Sequence, residues 1–294
     1  ILLLLLVTGL ALTTGFTEKN TNLQATNPQI NIKAISEHGL SIIGPADPSF
    51  DNMITRLTQG KQDVMIETLR PFSVFIKNTG KRSVVAYTLK WEIIRADGAA
   101  RVQTRDYVTL WKLMGVKGSD TDGYILKPNS SVLVSPSNIE PRQESATEAS
   151  GEVSLAAETT AYLDNLSTEL SRCISITVTL DGAIFDDGTF VGPDSTGFFA
   201  KVETRRNAKR DLIREIKQEL QQGKTARQAL QHADDLARGA EPKANSSTPP
   251  DDYHKNKKDA AMTLLQMRMS VGDERAIELM LEQIHEPVPE IRKY

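Results

Sequence analysis

Apolar side chains recur at alternate positions from Asn31 to Gly192 and at every third or fourth position beyond Phe198. The first period is that of strands and the second that of helices. Pro71 opens PFSVFIKN, turn residues fill Asn78 to Ser83 (NTGKRS), and VVAYTLKWEII runs from Val84 to Ile94, a pattern that predicts a hairpin. In the second run Val85, Tyr87, Leu89, Trp91 and Ile93 share one face, which is expected to be core. Asp97-Gly98 marks a turn before a strand over Ala99 to Leu110, and Lys127 to Val134 reads as a turn feeding another strand. The last strong pair, Ile174 to Phe185 and Thr189 to Val191, flanks Asp186-Asp187-Gly188, where a tight turn requires positive φ. Short strands divided by turns predict a β-sandwich over 26–192.

Ser137 to Glu158 is rich in Glu, Ser, Ala and Pro, so 137–158 is expected to be a solvated acidic loop, followed by one short helix from Ala161 to Leu170. Gly192 to Gly197 (GPDSTG) is expected to launch a long helix whose apolar face carries Phe198, Val202, Leu212, Ile216 and Leu220. Gly223 stops that helix, and Thr225 with Gln228 makes a capping box for a second from Ala226 to Arg238. The helices of 193–239 are expected to pack on the sandwich. Pro, Ser and Asn then mark 240–252 as a flexible linker. Segments His254 to Met269 and Asp273 to Glu286, with Asp273 as N-cap and Pro287 as stop, predict a helical hairpin over 253–294. Leu264, Leu265, Met267, Met269, Ile277, Met280, Leu281 and Ile284 are more apolar surface than two short helices hide by pairing. The hairpin is therefore expected to be separable and to dock on the sandwich, a second copy or another partner.

Ile1 to Phe16 is uncharged, apolar and shorter than the roughly 20 residues that cross a bilayer as a helix. With Thr13 and Gly15 at small-x-small spacing, 1–25 reads as a secretory signal lacking its basic n-region, and export to the periplasm or the exterior is expected. No Cys closes the apolar run, which argues against a lipid anchor there. A chain of 294 residues can bury one large core or two smaller ones, and its net charge of −3 selects no partner. Cys173 is the single cysteine, which excludes an internal disulfide, and its place in CISITVTL predicts a small buried side chain.

Candidate chemistry is sparse. Asp181, Asp186, Asp187 and Asp194 are candidate oxygen ligands for calcium, although their spacing is not that of an EF-hand loop and turn formation explains them too. Carboxylates from Asp181 to Asp194 are also the candidate acids of a hydrolase. Arg205, Arg206, Lys209 and Arg210 crowd one helix and are candidates for binding an anionic surface, but Asp211, Glu215 and Glu219 interleave with the basic residues. Aromatic interleaving is missing, so nucleic acid is not an expected partner. Gly223-Lys224-Thr225 resembles the end of a phosphate loop, yet Gln218 stands where its first glycine belongs. Ser195 lacks the G-x-S-x-G setting of an exposed nucleophile, and His38, His232, His254 and His285 lack metal-ligand spacing.

The run FSVFIKNTGKRSVVAYTLKWEI, with LKPNSSVLV after it, resembles the strand pair and later proline-led strand of immunoglobulin-like or fibronectin-III-like sandwiches in exported bacterial proteins of unknown function. The resemblance covers about a third of the chain, lacks the paired cysteines of true immunoglobulin domains, and contains no catalytic motif, so it leaves function open. It implies an immunoglobulin-like antiparallel β-sandwich, and with the helical period beyond Phe198 the expected fold is α+β, that sandwich followed by C-terminal helices. The expected role is non-catalytic: an exported protein that binds or scaffolds a protein or envelope polymer, with possible self-association through 253–294. A hydrolase and an anionic-surface binder are the alternatives.

Overall fold

The computed structural model describes residues 28–33, 37–114, 126–137, 152–239, 251–284 and 290–294. Its strands are β1 (Gln29–Lys33), β2 (Leu40–Ile43), β3 (Val74–Asn78), β4 (Val84–Arg95), β5 (Ala100–Val108), β6 (Ser131–Val134), β7 (Cys173–Phe185), β8 (Thr189–Val191) and β9 (Arg292–Lys293). The helices are α1 (Phe50–Thr58), α2 (Val64–Leu69), α3 (Leu110–Leu113), α4 (Glu152–Ser171), α5 (Phe198–Gln221), α6 (Ala226–Ala237), α7 (Asp251–Val271) and α8 (Asp273–Leu281). The chain is α+β, with two sheets and its helices mostly toward the C-terminus.

Among the described residues the longer sheet has six strands in the order β5-β4-β7-β8-β9, with β1 also beside β7, and the shorter has three in the order β2-β3-β6. β1 on β7 and β9 on β8 run parallel, which corrects the purely antiparallel expectation. Both strands come from far along the chain, so no tight hairpin dictates their direction. The first expected hairpin is also corrected, because β3 and β4 belong to different sheets. β2 and β6 occupy the two edges of β3, while β5 and β7 occupy those of β4. Asn78 to Ser83 therefore carries the chain from one sheet to the other. Buried Asn78 holds that crossing: its Nδ2 donates to the carbonyls of Arg82 at 2.7 Å and Leu126 at 3.1 Å, and its Oδ1 accepts from Gly80 N–H at 3.0 Å.

Tyr87, Leu89, Trp91 and Ile93 of β4 and Ile176 and Val178 of β7 share one core with Leu40, Val74 and Ile76 of the shorter sheet. Each such side chain, fully buried, contributes roughly 1.5–3 kcal/mol. The expected odd-numbered face holds except at its start, where a register shift between Val84 and Ala86 puts Val84 in this core and Val85 on the opposite face. Leu163, Leu166 and Leu170 of α4 complete the core. α4 replaces both the last part of the expected loop 137–158 and the short helix after it, since Ala, Glu and Leu are strong helix formers once a leucine stripe can be buried. α1 and α2 interrupt the strand-like region unexpectedly, and their Phe50, Ile54 and Ile66 cover Phe75 on the shorter sheet's other face. The signal segment 1–25, loop residues 138–151 and linker residues 240–250 lie outside the described residues; Asp251 already begins α7.

α5 starts on the outer face of the longer sheet, where Phe198 and Val202 meet Val85, Ala86 and Ile184. Farther along it leaves the sheet, and Leu212, Ile213 and Ile216 join Leu230 and Ala233 of α6, Ala261 and Leu264 of α7, and Ile277 and Met280 of α8 in a second core. Only the first turns of 193–239 therefore pack on the sheet. Leu264, Ile277 and Met280 of the expected hairpin over 253–294 are covered within the chain by α5 and α6, while Met269 stays exposed. The capping box of Thr225 and Gln228 is present at α6. At α8 the N-cap is Gly272 rather than Asp273, whose carboxylate accepts from Arg268 Nε at 2.6 Å.

Candidate functional site

The four candidate calcium ligands do not converge. Asp181, on β7 and 0% exposed, accepts four hydrogen bonds: from Ser195 N–H and Oγ–H at 3.0 and 2.6 Å, and from Thr196 N–H and Oγ1–H at 2.8 and 2.7 Å. Burial pushes its carboxyl upward, but these bonds outweigh that effect and hold it below the usual carboxylate range. Asp194 accepts from Phe199 N–H at 3.0 Å, in the first turn of α5, and pairs with Lys293 at 2.6 Å. Asp187 pairs with Arg82 at 2.6 Å, and Asp186 stays at the turn, where Ser83 N–H reaches it at 3.4 Å. Each carboxylate thus has its own local task. Among the described residues no three His, Cys, Asp or Glu side chains come together as metal ligands.

The sharpest polar constellation is Lys90–Ser195–Asp181. Lys90 Nζ donates to Ser195 Oγ at 2.8 Å, and Ser195 donates in turn to Asp181. A serine nucleophile needs a base that takes its proton, whereas this carboxylate is held well ionised and is a weak base. Lys90 is further engaged with Glu92 at 3.1 Å. The arrangement clamps Gly192 to Gly197 onto β7 and launches α5. Gly192, at φ 120°, permits the clamp, because a Cβ there would stand 2.7 Å from the Asp181 carbonyl oxygen.

The four candidate basic residues differ in exposure. Arg205 is exposed, Arg206 is buried, Lys209 is half-buried, and Arg210 lies 3.5 Å from Asp211. Cys173 is buried as expected; burial pushes its thiol upward, away from the reactive thiolate.

The feature that periodicity does not reveal is the open edge of β5. Arg95 N–H donates to the Ala99 carbonyl at 2.9 Å and Thr109 N–H to the Val85 carbonyl at 2.8 Å, so odd-numbered residues of this strand pair with β4. By alternation, Val102, Thr104 and Asp106 direct their N–H and C=O groups outward. Among the described residues no strand pairs with that edge. Val102 is 57% exposed and shares the sheet's outer face with Ile94, which is 41% exposed. The charges of Arg101, Arg105 and Asp106 are a sequence signal of such an edge, since charged side chains discourage indiscriminate strand addition. Comparisons with protein families, with curated proteins and with solved structures find no match for this chain.

Proposed function

We propose that this is a non-catalytic exported protein that binds or scaffolds a macromolecular partner, its two sheets forming an immunoglobulin-like sandwich that presents β5. The observation that carries this reading is the β5 edge at Val102, Thr104 and Asp106, which no strand among the described residues covers, with exposed Val102 and Ile94 beside it. An extended partner segment adds there as a further strand: outward backbone groups supply affinity, and the side chains on either face supply selection. The apolar run ahead of residue 17 supports export.

Val102→Pro tests the reading, because it removes an outward N–H without touching a ladder bond to β4. Chain immobilised with and without this change is exposed to envelope extracts, and thermal unfolding is followed in parallel. Stability should change by less than about 1 kcal/mol while the captured partner is lost. Unchanged capture by the folded variant would exclude the edge as the binding surface.

A further inference from the structure

A cavity of about 290 Å³ lies between α5, α7 and α8 beside the end of β5. Leu212, Leu264, Met267 and Met280 supply apolar wall, and Arg205 and Lys209 enter from α5, one turn apart. Neither cation has a hydrogen-bond or ion-pair partner among the described residues. Asp259, exposed, is the one acid on the lining and pairs with neither. Burial and then the neighbouring Arg205 lower the Lys209 amine to about 8. Two like charges side by side at an apolar cavity, paired with no acid among the described residues, repel each other, and an anion relieves both that repulsion and the lost hydration of Lys209.

We propose that this cavity binds a small amphipathic monocarboxylate, its carboxylate between Lys209 and Arg205 and its hydrocarbon chain against the leucine and methionine wall. The size, at the low end of ligand pockets (about 300–1,000 Å³), suits one medium-length chain and excludes a whole phospholipid. Methionine walls accommodate chains of slightly different shape because their unbranched side chains repack. The site stands independently of strand addition at β5.

Calorimetric titration of the full chain with decanoate below its micellar concentration tests the assignment, with acetate and decanol as probes of charge and tail alone. Decanoate should bind saturably at one site and raise the melting temperature, while acetate and decanol bind at least about tenfold more weakly. Lys209→Met should weaken decanoate about tenfold or more and should fold, since it removes a desolvated charge. Arg205→Met, at an exposed position, gives the same direction of change without burdening the core. The assignment fails if decanoate does not bind, if decanol matches it, or if both variants bind decanoate like the parent. Binding to phosphatidylglycerol vesicles in place of decanoate would also overturn it.

Discussion

The indole Nε1–H of Trp91 donates to the backbone carbonyl of Phe72 at 3.2 Å, tying β4 of the longer sheet to the turn that enters β3 of the shorter one. Trp91 is 0% exposed and sits in the shared core. Trp91→Ala should cost roughly 3–5 kcal/mol in urea unfolding. Trp91→Phe keeps much of the ring but leaves a buried carbonyl without its partner, at roughly 1–3 kcal/mol. A loss below about 1 kcal/mol for the alanine variant would place Trp91 outside the core.

Legibility of the fold follows the range of the interaction that decides each feature. Gly188 at φ 82° and the Thr225–Gln228 box depend on neighbours a few residues away, and they stand where turn and capping chemistry requires. The alternation from Tyr87 to Ile93 is equally direct. Partner choice is not local: that β3 pairs with β6 rather than β4 depends on a strand some fifty residues later, and nothing in NTGKRS states it. Glu, Ser and Ala serve a solvated loop as well as a helix, so α4 is decided by where Leu163 and Leu166 can be buried. The same limit applies to the sites. Alternation identifies β5 as a strand but not as an edge, and Lys209 meets Leu264 and Met280 only because α7 and α8 fold back on α5.

Asp181 links stability to pH. Its folded pKa lies below the usual value of 3.8, so ionised Asp181 contributes fully above the unfolded value. That contribution is lost as pH falls through the folded value. Asp181→Asn replaces one acceptor oxygen by a donor that faces either Ser195 N–H or Thr196 N–H; a hydroxyl can turn to accept, but a backbone N–H cannot. The variant should lose roughly 2–4 kcal/mol at pH 7. The gap to the parent should stay level from pH 7 to about 5 and narrow below about 4. Chemical denaturation at several pH values checks this, and a gap that persists unchanged to pH 2 would mean that ionisation of Asp181 is not linked to folding.

The C-terminal helices should behave as part of a core rather than as a detachable arm. Leu264 of α7 is 5% exposed and packs in the cluster with Leu212, Ile216, Leu230 and Ile277, drawn from four helices. Polar ties reinforce that position: Tyr253 donates to Asp211 at 2.8 Å, Lys257 to Glu215 at 2.9 Å, and Arg268 bridges Asp234 of α6 to Asp273 of α8. Met269, by contrast, is 81% exposed. Leu264→Ala should therefore cost roughly 2–5 kcal/mol, whereas Met269→Glu should stay within about 0.5 kcal/mol. The pair also separates folding from self-association, because any contact between copies through 253–294 must use what remains exposed. If sedimentation finds a dimer, Met269→Glu should weaken it at unchanged stability. A dimer lost only with Leu264→Ala would instead trace association to disruption of the helical core. Removal of 251–294 uncovers Leu212, Ile213 and Ile216 and takes β9 from the longer sheet, so the shortened chain should lose the cooperative unfolding of α5 and α6; retention of that transition would restore the separable hairpin.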